Sequence, residues 1–214
     1  MNILVFAPHN DDEILGVGGT IKKYIKEGND VCVCEVTSGI RKTLLQAEAQ
    51  NAHDLLGIRK SIFLNIPVGK LSKMDQFELN DRIGKVIQEL SPEIVFLPFT
   101  GDMHTDHCAV TESAMVALRP INDYSVTEIY MYETLSETGW NIPNVNNSFC
   151  PNVWIDITNT IEDKLNAMRC YESQLMKYPH PRSIEAILNL AKYRGATVNV
   201  EYAESFMLVR RIMR

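Results

Sequence analysis

The sequence predicts an α/β, Rossmann-like fold: a mostly parallel sheet with helices on both faces and the active site at the carboxyl ends of the strands. Three observations lead there. Apolar, β-branched runs alternate along the first half of the chain with stretches whose apolar residues fall three or four apart. The connections between them are short and carry turn and cap residues, Gly28-Asn29-Asp30, Gly57 and Ser91-Pro92. The length, 214 residues with 45% hydrophobic and 22% charged, suits one domain over residues 1–214 built on a single sizeable core.

Taken in order, Ile3–Phe6, Val31–Val36, Ile62–Ile66 and Ile94–Phe99 read as buried strands, and Ile14–Lys26, Leu44–Leu56 and Phe77–Leu90 as the helices between them. A helix follows at Cys108–Leu118, then strands at Glu128–Tyr132 and Val153–Ile157. Further helices are expected from Ile161 to about Ser173 and from Ser183 to Lys192, with strand character at Val198–Val200 and Phe206–Val209. Leu135–Pro151, rich in Asn, Ser and Pro, reads as a long loop of the functional kind. The five cysteines are odd in number and form no spaced pair; Cys32 and Cys34 alternate on one strand and read as small buried apolar residues.

The net charge of -6, without a clustered basic face, argues against binding duplex nucleic acid, and no Lys/Arg run would hold an anionic membrane. The opening apolar run stops at Pro8-His9 without basic residues before it, and no apolar stretch reaches spanning length. A cytoplasmic chain with no integral membrane association is expected.

Two clusters carry chemistry. His9-Asn10-Asp11-Asp12-Glu13 follows the first strand directly, and four of its five residues can bind metal or move a proton. One carboxylate at a helix start would be ordinary capping, but His, Asp, Asp and Glu together exceed what a cap needs. His9 and one aspartate suit zinc, and the other aspartate would then act on water as general base. Gly16-Val17-Gly18-Gly19 imitates a dinucleotide fingerprint, but Ile21 holds the third glycine position and the turn is acidic, so close helix–sheet packing explains the glycines better. The second cluster, His104-Thr105-Asp106-His107, follows the fourth strand. His107 would complete a three-ligand catalytic site, His104 would donate a proton or stabilise an oxyanion, and Asp106 would hold an imidazole in its tautomer.

Together, Pro8-His9-Asn10-Asp11-Asp12-Glu13 and the later His104-Thr105-Asp106-His107 resemble the signatures of the PIG-L, or LmbE-like, family of zinc-dependent N-deacetylases. The likeness extends through Leu15–Ile21, Glu48–Gly57, Tyr171-Glu172-Ser173-Gln174 and Tyr202-Ala203-Glu204-Ser205-Phe206, and so covers most of the chain. It implies that His9, Asp12 and His107 bind zinc, with iron(II) an alternative in the cell. Asp11 would be the base, with His104 as acid or oxyanion stabiliser tuned by Asp106. The implied reaction removes an N-acetyl group from an N-acetylglucosamine-type sugar or its conjugate; the alternatives are an amidase for another acyl-amine and a non-catalytic sugar- or nucleotide-binding module. Family members often assemble, which makes a homo-oligomer an expectation too.

Two positions depart from the pattern. Asn10 stands where proline is usual, which predicts a looser turn, and Leu45 stands where arginine is frequent, with Arg41 nearby to compensate. Tyr178-Pro179-His180-Pro181-Arg182-Ser183 suggests a substrate wall in which His180 and Arg182 face substrate, Arg182 holding a phosphate or carboxylate. Trp140 and Asn141 on the long loop would stack on and hydrogen-bond a sugar ring.

Overall fold

The computed structural model describes residues 1–121 and 126–213. Strands β1 (Asn2–Ala7), β2 (Asp30–Ser38), β3 (Lys60–Pro67), β4 (Ile94–Pro98) and β5 (Glu128–Tyr132) run parallel; β7 (Ala203–Arg211) pairs antiparallel with β5, and β6 (Val153–Asp156) antiparallel with β7. The order across the seven-stranded sheet is β3-β2-β1-β4-β5-β7-β6. The helices are α1 (Asp12–Lys26), α2 (Lys42–Leu56), α3 (Gln76–Leu90), α4 (Thr105–Ala117), α5 (Ile161–Arg169) and α6 (Ile184–Ala196). Among the described residues, no helix is long and apolar enough to cross a membrane.

Alternation along each buried strand builds the two layers. In β1, Ile3 and Val5 pack with Ile14, Val17 and Ile21 of α1, Ala52 and Leu56 of α2 and Leu165 of α5. Leu4 and Phe6 point the other way, toward Ile83 and Ile87 of α3 and Val110 and Ala114 of α4. Cys32 and Cys34 join that second layer, as their alternation predicts. Gly57, at φ 88°, ends α2 in the left-handed region that glycine adopts without strain.

Helix α1 lies very close to the sheet. A Cβ on Gly16 would sit 2.2 Å from the Tyr132 ring, and one on Gly19 would sit 2.8 Å from Ile157. The glycines thus serve packing. The buried Glu204 carboxylate of β7 accepts the Gly19 and Thr20 N–H groups at 2.9 and 2.7 Å. Lys164 of α5 pairs with Glu204 at 2.5 Å and donates to the Leu15 carbonyl at 2.8 Å.

Two elements differ from expectation. Helix α5 ends at Arg169, because the backbone turns there and sends Tyr171 inward. Val198–Val200 is a turn, not a strand: the amides of Val198 and Val200 both fold back on the Gly195 carbonyl, at 3.0 and 3.1 Å.

Candidate metal centre and active site

β1 and β4 are parallel neighbours, and the strand order reverses between them. Their carboxyl ends therefore open a crevice, the usual ligand site of such sheets. His9 to Asp11 follow β1, and His104 to His107 follow β4, so the topology brings the two motifs together. His9, Asp12 and His107 offer ligand atoms within 4.8 Å of one another. Asp12 Oδ2 lies 3.2 Å from both His9 Nδ1 and His107 Nε2. Asp12 and His107 are fully buried, yet Asp12 Oδ1 and His107 Nε2 have no hydrogen-bond partner. Buried polar atoms left unpaired are costly, and a cation between them would satisfy both. Two imidazoles and a carboxylate suit zinc or iron(II).

The surroundings aim these ligands. His107 Nδ1 donates to Asp102 Oδ2 at 2.8 Å, leaving Nε2 for the centre. Asp102 in turn accepts from the Thr138 hydroxyl at 2.5 Å. Asp106 meets His9 Nε2 at 3.3 Å and accepts the Gly69 N–H at 2.7 Å. Its carboxylate is 3.9 Å from His104 Nδ1, so the imidazole it hydrogen-bonds is that of His9, while it acts on His104 by charge. His104 Nδ1 instead accepts the Asp106 N–H at 3.1 Å, capping α4. In the neutral ring the proton then lies on Nε2.

Burial acts to lower the His9 pKa, but hydrogen bonds to Asp106 and Asp12 outweigh it and raise it to about 9. Burial likewise opposes protonation of His107, while the Asp12 charge and the Asp102 hydrogen bond raise it to about 10. A bound cation would take the place of these protons. Burial and the neighbouring His9 keep His104 below the usual histidine value. Asp11 is pushed well above the carboxylate range by burial, against the pull of Arg182. Neither of its oxygens has a hydrogen-bond partner, and Arg182 Nη1 stands 3.6 Å from Oδ2. Its backbone, at φ 103°, is in the left-handed region, a strain of about 1–3 kcal/mol of the sort found at functional sites.

The turn is not loose. The Asn10 side-chain amide donates to the buried Glu35 carboxylate, doing by hydrogen bond what proline does by its ring. Glu13 points away from the ligands: its Oε1 accepts from Tyr171 at 2.5 Å and lies 3.3 Å from His53 Nε2. Ser173 binds Glu48 through both its N–H and its hydroxyl, and Gln174 accepts from Arg182 at 3.0 Å. The Tyr171-Glu172-Ser173-Gln174 signature thus anchors the turn after β1, helix α2 and Arg182.

A cleft of about 220 Å³ opens above, lined by His9, Asn10, Leu45, His104, Glu137 and Arg182 together with Gly39, Val68 and Gln174. Arg182 is where sequence suggested. His180 and Trp140 are not among the lining residues: His180 Nδ1 accepts the Arg182 N–H at 3.1 Å and so shapes the loop, and Trp140 is 62% exposed. Asn141 is spent on the Gly101 and Asp102 carbonyls. Leu45 gives an apolar wall, and Arg41 is exposed outside the lining, so it does not compensate. Sequence reasoning missed Asp102 and Glu137. The available signal was a carboxylate on the same strand-end loop as His107, and one in the middle of the long loop.

The family model described as PIG-L, GlcNAc-PI de-N-acetylase, matches residues 4–118, a span that holds both motifs. The diacetylchitobiose deacetylase of Thermococcus kodakarensis is 26% identical over 97% of this chain and 82% of its own. A conserved protein of Thermus thermophilus superposes with a TM-score of 0.82 at 27% identity, covering 99% of this chain and 96% of the other. A 4-carboxy-2-hydroxymuconate hydratase from Pseudomonas putida, 20% identical, superposes at 0.80 over 100% and 98%. The architecture alone therefore does not choose the reaction.

Proposed function

We propose, for a chain that belongs to the PIG-L family, that it is a metal-dependent N-deacetylase: it hydrolyses the N-acetyl amide of an N-acetylglucosamine-type amino sugar or its conjugate. The observation that carries this reading is an incompletely satisfied ligand set and a carboxylate without a hydrogen-bond partner, both buried at the strand ends beneath a cleft that His9 and His104 line. The deacetylase relative from Thermococcus kodakarensis supports it.

His9, Asp12 and His107 would hold the ion, zinc being the first candidate. When bound, it supplies a Lewis acid that polarises the amide carbonyl and lowers the pKa of water. Asp11 takes a proton from the attacking water as the new carbon–oxygen bond forms. His104 presents Nε2–H to the carbonyl oxygen as negative charge develops there. The carbon–nitrogen bond then breaks, and Asp11 returns its proton to the departing amine, giving acetate and the free amino sugar. Arg182, beside Asp11 and braced by Gln174, positions that carboxylate.

Purified protein incubated with N-acetylated amino sugars should release acetate, stop when chelated and recover with zinc. Release only from other N-acyl compounds would favour the broader amidase reading. No release from metal-loaded protein would leave a binding module.

A further inference from the structure

The cleft lining carries two charged side chains, Arg182 and Glu137, beside its two histidines. Arg182 is committed through Nη1 to Asp11 and Gln174, although its Nε has no hydrogen-bond partner. Glu137 is not: among the described residues its carboxylate has neither a hydrogen bond nor an ion pair. Its backbone is nevertheless fixed. The amide donates to Thr134 at 3.1 Å, and the carbonyl accepts from Met103 at 3.2 Å and Trp140 at 3.3 Å. Thr138, the next residue, is locked to Asp102. A half-buried carboxylate on a clamped backbone, with no partner of its own, faces the place a substrate must occupy. Arg41, Lys42 and Lys70 lie near the rim in sequence, but they are exposed and outside the lining, where salt screens them.

Resting on the deacetylase reading, we propose that Glu137 selects substrate by charge: the cleft takes amino-sugar conjugates whose group beside the reacting sugar is neutral or cationic, as in an oligosaccharide of amino sugars, and disfavours a phosphate or carboxylate there. A fixed like charge in a cleft acts as a repulsive element against the wrong partner. An ammonium or a hydroxyl of a neighbouring sugar gives the carboxylate the partner it lacks.

The test uses metal-loaded protein, with metal content measured for each variant. Turnover is compared for methyl N-acetylglucosaminide, N-acetylglucosaminyl-glucosamine and N-acetylglucosamine 1-phosphate. Binding is compared by calorimetry for the matching deacetylated sugars, which need no chemistry. The wild type should disfavour the phosphate by about 10–100-fold against the neutral sugar, in kcat/KM and in affinity. Glu137→Gln should shrink that gap to a few-fold, and Glu137→Lys should reverse it. Equal handling of phosphate and neutral sugar by the wild type, or a gap that Glu137→Gln leaves intact, overturns the proposal. Charge discrimination in binding without any turnover would instead overturn the deacetylase reading and keep Glu137 as the selector.

Discussion

The cluster at the ends of β1 and β4 and the Lys164–Glu204 pair against the middle of α1 are both built from buried charged groups, yet their polar atoms fare differently. Around Glu204, both carboxylate oxygens accept backbone N–H groups, and Lys164 reaches a carboxylate and a carbonyl. The space beside them is about 10 Å³, room for a water and nothing larger. At the strand ends, Asp11, Asp12 and His107 keep atoms without hydrogen-bond partners beneath a cleft of about 220 Å³. A closed network stabilises and locates elements; an open one is held ready for something from outside.

That contrast can be broken by substitution, beginning with the strongest expected effect. Asp11→Asn should lower kcat by about 10²–10⁴ while leaving metal content and thermal stability near wild type. A variant with full turnover would remove Asp11 from the base role. Lys164→Met should do the reverse: about 3–5 kcal/mol of stability lost in denaturant unfolding, because Glu204 is left buried and uncompensated. Lys164→Met combined with Glu204→Leu should regain part of that, and a single variant as stable as wild type would deny the pair its structural weight. Asp102→Asn should weaken metal affinity by about 10–100-fold by loosening the aim of His107. Titration with a competing chelator reads this directly, and an unchanged affinity would show that His107 needs no such support. The smallest effect is expected from Asn10→Ala, about 1–3 kcal/mol, since it strips one partner from buried Glu35. Asn10→Pro should cost less, because the ring fixes the turn although Glu35 still loses its partner. If both variants match wild type, the Asn10–Glu35 hydrogen bond carries no weight in holding the turn.

The sheet and both motifs are legible in the sequence because each rests on local pattern: unbroken apolar runs for the strands, and a cluster of His and carboxylate residues soon after the runs that end at Ala7 and Pro98. Pairings between distant residues are not. Glu204 and Gly19 are 185 positions apart, and no spacing rule joins them. Proximity in the motif makes Asp106 a partner of His104, whose Nδ1 accepts its backbone N–H, but no local pattern shows that its carboxylate also reaches His9, 97 residues away. Val198 and Val200 have strand composition, but the turn closing α6 uses their amides, and tertiary context overrides propensity there. Asn10 is visible as a lost proline but not as a new bond, because its acceptor Glu35 lies on another strand.

The contact of Gly16 with the Tyr132 ring bears on how this scaffold could be redesigned. Tyr132 also hydrogen-bonds the Phe6 carbonyl at 2.7 Å, so a side chain added at Gly16 would press on β5 and, through it, on the strand that delivers His9. The floor of the molecule is therefore closed to variation. The roof gives more freedom at Leu45 and Glu137, whose side chains line the cleft, provided that Thr138 keeps its hold on Asp102. Attempts to retarget the protein toward new sugars belong on that upper side.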